Sequence, residues 1–401
     1  MNFFSIAPEI IYSGLKWLDQ DFTLSDITNP YLEKEHIEIL GQLAPYESIG
    51  EPEPLGLRFQ SEQFGLRMNA VHRYFSEMNS DTSEKGFGTV HVLIKDFYVA
   101  KNQIFVRSGD KVFALYELNR PNEKYLFNEE YFISIDWSNI GQVPTTPNSM
   151  IVVSAGSSNW GHFLVDELPR ICIFISKIPS GEEINIYFTG YKHYFGLLNE
   201  NKIEALRIIF PAHHFQFHFL NQEHVAHFHS SNFYSPITFH PFYKNGTLAR
   251  LPQRLLNENS SLILRNKVTK LFCLRRSGAR SIPRSKVTRL KKLFEPLGFL
   301  FYYPEENSVI NQFETFSSAD IIVGVMGAGM CNTVFSRPGV TVVYIAPDGW
   351  EETFFWNLAN QLHHAYYAYY CETNLETKVP EANTLSLDVK DFYSFFLRVT
   401  N

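Results

Sequence analysis

Three groups of residues in this 401-residue chain have the types and spacing to do chemistry. The first is Gly327-Ala328-Gly329, set between an apolar run that ends at Val325 and a stretch that reads as the start of a helix. Gly327 and Gly329 lack Cβ, so a ligand can approach the backbone closely. A turn that feeds a helix start also presents bare N–H groups, which hold a phosphate well. The second group is Arg275, Arg276 and Arg280, directly after the strand-like Lys270-Leu271-Phe272-Cys273-Leu274. Guanidinium groups at the C-terminal end of a strand can clamp a diphosphate bidentately. The third is Asn159-Trp160-Gly161-His162-Phe163-Leu164-Val165-Asp166-Glu167-Leu168-Pro169-Arg170. His162 and Asp166 are four apart and share a helix face, and an imidazole beside a carboxylate makes a tunable base. Each group also has a plainer reading: a structural turn, a solvated basic loop, and a helix start whose acids suit the helix dipole.

The elements that must position these groups alternate. Met150 to Ser154 reads as a buried strand, followed by a helix that starts at Ser157 and runs through Leu168. Ile184 to Phe188 is a strand and Lys202 to Phe210 a helix. In the second half, strands at Lys270 to Leu274, Phe299 to Tyr302, Ile321 to Val325 and Val340 to Pro347 alternate with helices at Ser285 to Glu295 and Ser308 to Ser318. Strand–helix alternation predicts parallel sheets covered on both faces, here two α/β domains with a cleft between them and a boundary near Leu251-Pro252. A last helix is expected from Asp388 to Val399. Before residue 145 the pattern is mixed and then β-rich. Thr89 to Ile94 and Gln103 to Val106 are short strands, with Ser108-Gly109-Asp110-Lys111 as a turn between strands. Pro30 to Ile37 is a helix candidate and Glu51-Pro52-Glu53-Pro54 a loop.

Composition narrows the function classes. The chain is 45% hydrophobic and 19% charged, as for a globular protein. A net charge of −7 gives no basic field for nucleic acid. No run of apolar residues is long enough to span a membrane, and the first residues lack the basic region of a signal peptide. The four cysteines sit among apolar neighbours without paired spacing, which suits free thiols in a reducing compartment. A cytoplasmic location is expected, free or at the inner face of the cell membrane. The histidines at 213, 214, 218, 224, 227, 229 and 240 alternate as in strands and lack a compact carboxylate set, so no metal site is expected. A dinucleotide fingerprint would need a third glycine where Asn332 stands, although Asp348 does lie near the end of the next strand.

Taken in order, these segments resemble glycosyltransferase family 61, the capsule and lipopolysaccharide glycosyltransferases. The matching residues are Asn159, Trp160, His162, Phe163, Leu164, Glu167, Leu168, Pro169 and Arg170 in the helix, then Arg275, Arg276 and Arg280 after the strand. Gly298, Phe299, Pro304, Glu305 and Gln312 follow. Last come Ala319, Asp320, Ile322, Val323, Gly324, Gly327, Ala328, Gly329, Asn332, Phe335, Pro338 and Gly339. The resemblance covers about residues 150 to 365. Departures are Met326 for the family's histidine, Met330 for leucine, Asn311 for an acid, and Pro283-Arg284 where an asparagine–glutamate pair is usual.

The resemblance implies an α/β fold of GT-B type: two Rossmann-like domains, 146–252 for the acceptor and 253–385 for the nucleotide sugar. A β-rich N-terminal elaboration, 1–145, and a C-terminal helix, 386–401, flank them. It implies an inverting, metal-independent hexosyl- or pentosyltransferase without a cofactor. The donor would be a nucleotide sugar, a UDP-sugar foremost. The acceptor would be a glycan of a surface polysaccharide, lipid-linked or not, with peripheral membrane association allowed and no nucleic-acid partner. Glu167, Asp166 and His162 would be catalytic. Gly327, Ala328, Gly329, Arg275, Arg276, Arg280, Glu305, Asn332, Glu351 and Glu352 would bind the donor, and Asn159, Trp160 and Arg170 the acceptor. Met326 motivates the alternative of a non-catalytic glycan- or nucleotide-binding relative; a dinucleotide oxidoreductase is the other alternative.

Overall fold

The computed structural model describes residues 4–6, 10–11, 46–49, 61–64, 89–100, 103–108, 111–117, 140–144, 146–152, 159–189, 196–220, 224–234, 238–239, 243–244, 249–259, 268–348, 350, 354–374 and 382–400. The helix candidate at Pro30 to Ile37, the loop at Glu51 to Pro54, the helix start at Ser157, and His240, Glu351 and Glu352 lie outside them. Two compact units form, one within 1–52, 86–203 and 210–248, the other within 53–85, 204–209 and 249–401.

The first unit is built on a mixed sheet of eleven strands among the described residues. Its antiparallel part runs from Lys111–Glu117 through Gln103–Ser108 and Thr89–Ala100 to Val225–Tyr234. Ser108 pairs directly with Lys111. The Val225–Tyr234 strand then changes partner type, pairing parallel with Ser149–Val152. Glu183–Thr189 and His214–Leu220 extend the parallel part. Helices Trp160–His162 and Leu168–Ser176, joined by a π turn, connect Ser149–Val152 to Glu183–Thr189, and helix Gly196–Ile209 connects the next pair. The strand core reads as buried on both faces: Met150, Ile151, Ile184, Ile186 and Phe188 are all enclosed, as a parallel sheet between helices requires.

The second unit holds a six-stranded sheet in which every neighbouring pair is parallel. The order is Leu300–Tyr302, Lys270–Cys273, Ile321–Val325, Thr341–Pro347, Ala365–Cys371, and Ser61–Phe64 at the far edge. Helix Arg284–Phe294 starts one residue before the expected Ser285 and runs into a 3-10 turn, Glu295–Leu297. Gly298 ends it at φ +87°, a left-handed position suited to glycine. Ser308 caps helix Val309–Ser318 through its hydroxyl, which accepts from Asn311 N–H. Asp388 does the same for the C-terminal helix Val389–Thr400, its carboxylate accepting from Lys390 and Asp391 N–H. That helix buries Phe392, Phe395 and Phe396 against Leu290, Phe294 and Phe299. Among the described residues, 18 phenylalanines are buried in cores such as this one.

Candidate active site

Chemistry-bearing residues gather at one place in each unit. In the first unit, Asn159 opens the helix, its side chain accepting from Gly161 N–H at 2.7 Å. One α turn later the backbone widens into a π turn, Phe163–Glu167, closed by the Leu168 N–H donating to Phe163 O. Pro169 explains the widening. It has no N–H to donate four residues back, and its ring collides with the carbonyl there. The helix answers with one longer bond, and the Arg170 side chain takes up the slack: its Nε donates to Asp166 O at 2.8 Å. Single π turns inside α-helices recur at functional sites. The sequence reading missed this one, although a proline inside a helical stretch was the available signal.

The π turn carries two carboxylates with opposite fates. Asp166 Oδ2 lies 2.7 Å from His162 Nδ1, and the His162 side chain is 18% exposed. Glu167, fully buried, accepts from Lys202 Nζ at 2.9 Å. The Lys202 ammonium also sits 5.4 Å from the Phe163 ring centre and 5.0 Å from that of Phe188, within cation–π range. His162 with Asp166 thus forms a partly exposed imidazole–carboxylate pair in which the carboxylate holds the ring's orientation. Glu167 is committed to an internal ion pair. Of the residues expected to touch the acceptor, Asn159 caps the helix, Trp160 stacks on Phe163 at 5.2 Å, and Arg170 is wholly buried. Lys202 carried no motif signal; only folding brings it to Glu167.

In the second unit the strand order decides the geometry. The chain leaves Lys270–Cys273 toward Leu300–Tyr302 on one side, then crosses back to Ile321–Val325 on the other. Connections therefore diverge between Lys270–Cys273 and Ile321–Val325. In open α/β sheets such a switch point, at the carboxyl ends of the strands, is where ligands bind. The arginine segment follows the first of these strands and the glycine turn follows the second.

The side chains meet there. A Cβ placed on Gly327 would lie 3.3 Å from Arg275 Nη1 and 3.7 Å from Arg280 Nη2. Gly327 itself is extended, so the demand is for space and not for a special backbone. Gly329 is likewise crowded, its would-be Cβ 3.0 Å from Pro304 Cγ. The following Ala328–Phe335 segment is a 3-10 helix, not the α-helix start that the sequence suggests. Arg275 is half-buried. Its Nη1 is enclosed and finds no hydrogen-bond partner among the described residues. Desolvation lowers its pKa, and the neighbouring Glu305 carboxylate partly opposes the shift. A buried guanidinium N–H facing a bare glycine is a donor in want of an anion.

The structure separates the three arginines. Arg276 is exposed, bonds the Glu306 carboxylate with Nη2 at 2.7 Å, and lies over the Tyr303 ring at 4.0 Å. Glu305 accepts from the Arg276 backbone N–H at 2.8 Å. Both are thereby engaged with each other's neighbourhood. Asn332, fully buried, donates to Gln312 Oε1 at 2.9 Å and to Gly329 O at 3.0 Å. Gln312 in turn donates to Pro304 O at 3.0 Å and Asn307 O at 3.1 Å. These two amides brace the glycine turn from behind. Met326 is 1% exposed and takes part in the core, its N–H bonded to Ile345 O. Met330 packs its sulfur where a Cβ on Gly324 would overlap it.

Two of the histidines, His218 and His227, are engaged within the first unit's sheet. His227 bonds Asp96 and Gln142, each at 2.7 Å, and His218 bonds Asn185 at 2.9 Å. Among the described residues no group of three or more His, Cys, Asp or Glu side chains could hold a metal ion.

Filling the space at the switch point should be informative. Gly327→Ala is expected to leave the fold intact, because its backbone suits any residue, yet to weaken binding of a diphosphate probe such as inorganic pyrophosphate about tenfold, the equivalent of about 1.4 kcal/mol. Calorimetry on the variant, beside a thermal melt, checks both halves.

No curated protein matches the chain. The family model described as Glycosyltransferase 61 matches residues 160–343, which begin at Trp160, before His162, and end in the strand beyond the glycine turn. Across that span, which includes both clusters, the chain is similar to the glycosyltransferase 61 family.

Proposed function

We propose that this protein transfers a sugar from a nucleotide sugar, a UDP-sugar foremost, to a hydroxyl of a glycan acceptor, with inversion at the anomeric carbon. The observation that carries the reading is the approach of Arg275 and Arg280 to Gly327 at the switch point of the second unit. The acceptor oxygen attacks the anomeric carbon as the bond to the diphosphate oxygen breaks. His162 takes the hydroxyl proton, with Asp166 orienting the ring and favouring its charged form. The electron pair departs on the diphosphate. Its growing charge would be met by two guanidinium groups and the N–H groups of the glycine turn, so the step is written without a metal.

In this scheme the first unit serves the acceptor and the second the donor, as in a GT-B transferase. Glu167 positions the helix through Lys202, while Asn332 positions the glycine turn. A product in the surface polysaccharide class rests on the family resemblance. No helix among the described residues is long and apolar enough to cross a membrane; peripheral association with a lipid-linked acceptor belongs to the same proposal. Met326 favours the second reading, a non-catalytic binding relative, but that residue is enclosed in the core.

The arginines test the donor site. Arg275→Ala is expected to weaken UDP binding by about 10- to 100-fold, as for loss of a charge-assisted bond to an oxyanion. Arg276→Ala, removing an exposed pair with Glu306, should leave binding nearly unchanged. Equal effects from the two, measured by calorimetry, would refute the assignment. Release of UDP from a panel of UDP-sugars with and without glycan acceptors tests the transfer itself.

A further inference from the structure

Arg280 is held in a way that its proposed task alone does not require. It is one of three non-glycine residues with positive φ among those described, at +61°. This left-handed region is one that side-chain-bearing residues avoid, and such strain persists only where the surroundings fix it. Two supports are visible. The Arg280 N–H donates to Asn383 O at 2.7 Å, and Leu385 N–H donates to Ser281 O at 2.9 Å, so the 383–385 segment staples the arginine loop from outside. The guanidinium lies over the indole of Trp350, 4.7 Å from the ring centre. Trp350 comes from a different element, just past the Thr341–Pro347 strand, and is steadied by Phe355 at 6.4 Å.

We propose that Trp350 is a positioning residue for the donor site: it is the platform that holds the Arg280 guanidinium toward Gly327 and so sets affinity for the donor's diphosphate. The inference rests on the donor-site reading above and adds a residue that neither motif nor family match singles out. A planar guanidinium stacks on an aromatic face at little cost to its in-plane N–H donors. The stack therefore fixes the direction of Arg280 while leaving its edge to bond an oxyanion. An exposed arginine without a platform would lose more rotamer entropy on each binding event.

Binding of UDP and of inorganic pyrophosphate to the full chain tests this, because pyrophosphate has the anion without a base. Trp350→Leu keeps apolar bulk but removes the π face. It should weaken both ligands about tenfold, the size of a partly desolvated cation–π contact. Trp350→Phe should restore most of the loss, which also answers any concern that the leucine variant folds poorly. Trp350→Leu combined with Arg280→Ala should bind no more weakly than Arg280→Ala alone, since Trp350 acts through Arg280. The proposal is overturned if Trp350→Leu weakens UDP but spares pyrophosphate, which would make the indole a nucleobase platform. It is also overturned if the leucine change still weakens binding once Arg280 is gone. Should Arg280→Ala itself bind both ligands as the wild type does, the donor-site reading fails, and the proposal with it.

Discussion

Replacing His162 with alanine is expected to lower kcat by about 10²- to 10⁴-fold, the range for loss of a positioned general base. That corresponds to about 3–5.5 kcal/mol of barrier. UDP affinity should not change, because the diphosphate contacts proposed here lie in the second unit. The reasoning runs through the pair geometry. His162 is partly exposed and bonded through Nδ1 to Asp166 at 2.7 Å, so the carboxylate holds the ring's orientation. A fixed ring loses no orientational freedom when the acceptor hydroxyl arrives. Asp166→Asn keeps the shape but can no longer stabilise the imidazolium, and a smaller drop in kcat is expected there, again without a change in UDP affinity. Single-turnover kinetics with donor saturating separates the chemical step from binding. Wild-type turnover in the alanine variant would remove His162 from the mechanism.

How much of this was legible in the sequence depends on distance along the chain. The parallel strands of the second unit were legible because each is a short apolar run between turn signals, and Ser308, Pro296 and Gly298 mark helix ends by local chemistry. The strand order was not. That Lys270–Cys273 pairs with Ile321–Val325 on one side and Leu300–Tyr302 on the other is a long-range result, and it alone decides which arginine faces what. Arg275 and Arg276 are neighbours in sequence, yet beyond the end of the Lys270–Cys273 strand their side chains part. Arg276 goes to Glu306 after the Leu300–Tyr302 strand; Arg275 goes to Gly327 after the Ile321–Val325 strand. In the first unit the i, i+4 spacing made the His162–Asp166 pair legible, whereas the partner of Glu167 lies 35 residues on. No spacing rule reaches that far. Asn332 and Gln312 were legible as motif residues but not as braces, because their bonds to one another depend on how two helical segments pack.

Lys202→Ala is expected to be among the most destabilising single changes in the chain, by about 3–5 kcal/mol. The alanine would strand the Glu167 carboxylate in a fully enclosed site, and it is the unpaired buried charge, more than the lost attraction, that sets the size of the effect. The same argument predicts a rescue. With Lys202→Met and Glu167→Gln together, no charge remains, the methionine fills the channel between Phe163 and Phe188, and stability should return close to wild type. Denaturant midpoints at constant m-value measure this, and the double-mutant cycle isolates the pairwise coupling. A Lys202→Ala protein as stable as wild type would mean that the pair does not form. The cycle also separates the two roles of the π turn. Glu167 adjoins Asp166, and the ion pair ties that turn to helix Gly196–Ile209. If the pair serves catalysis by fixing His162 and Asp166, the rescued double variant should regain its stability but not all of its kcat. Full recovery of both would make Glu167 and Lys202 a purely structural couple and leave the whole of the proton transfer to His162 and Asp166.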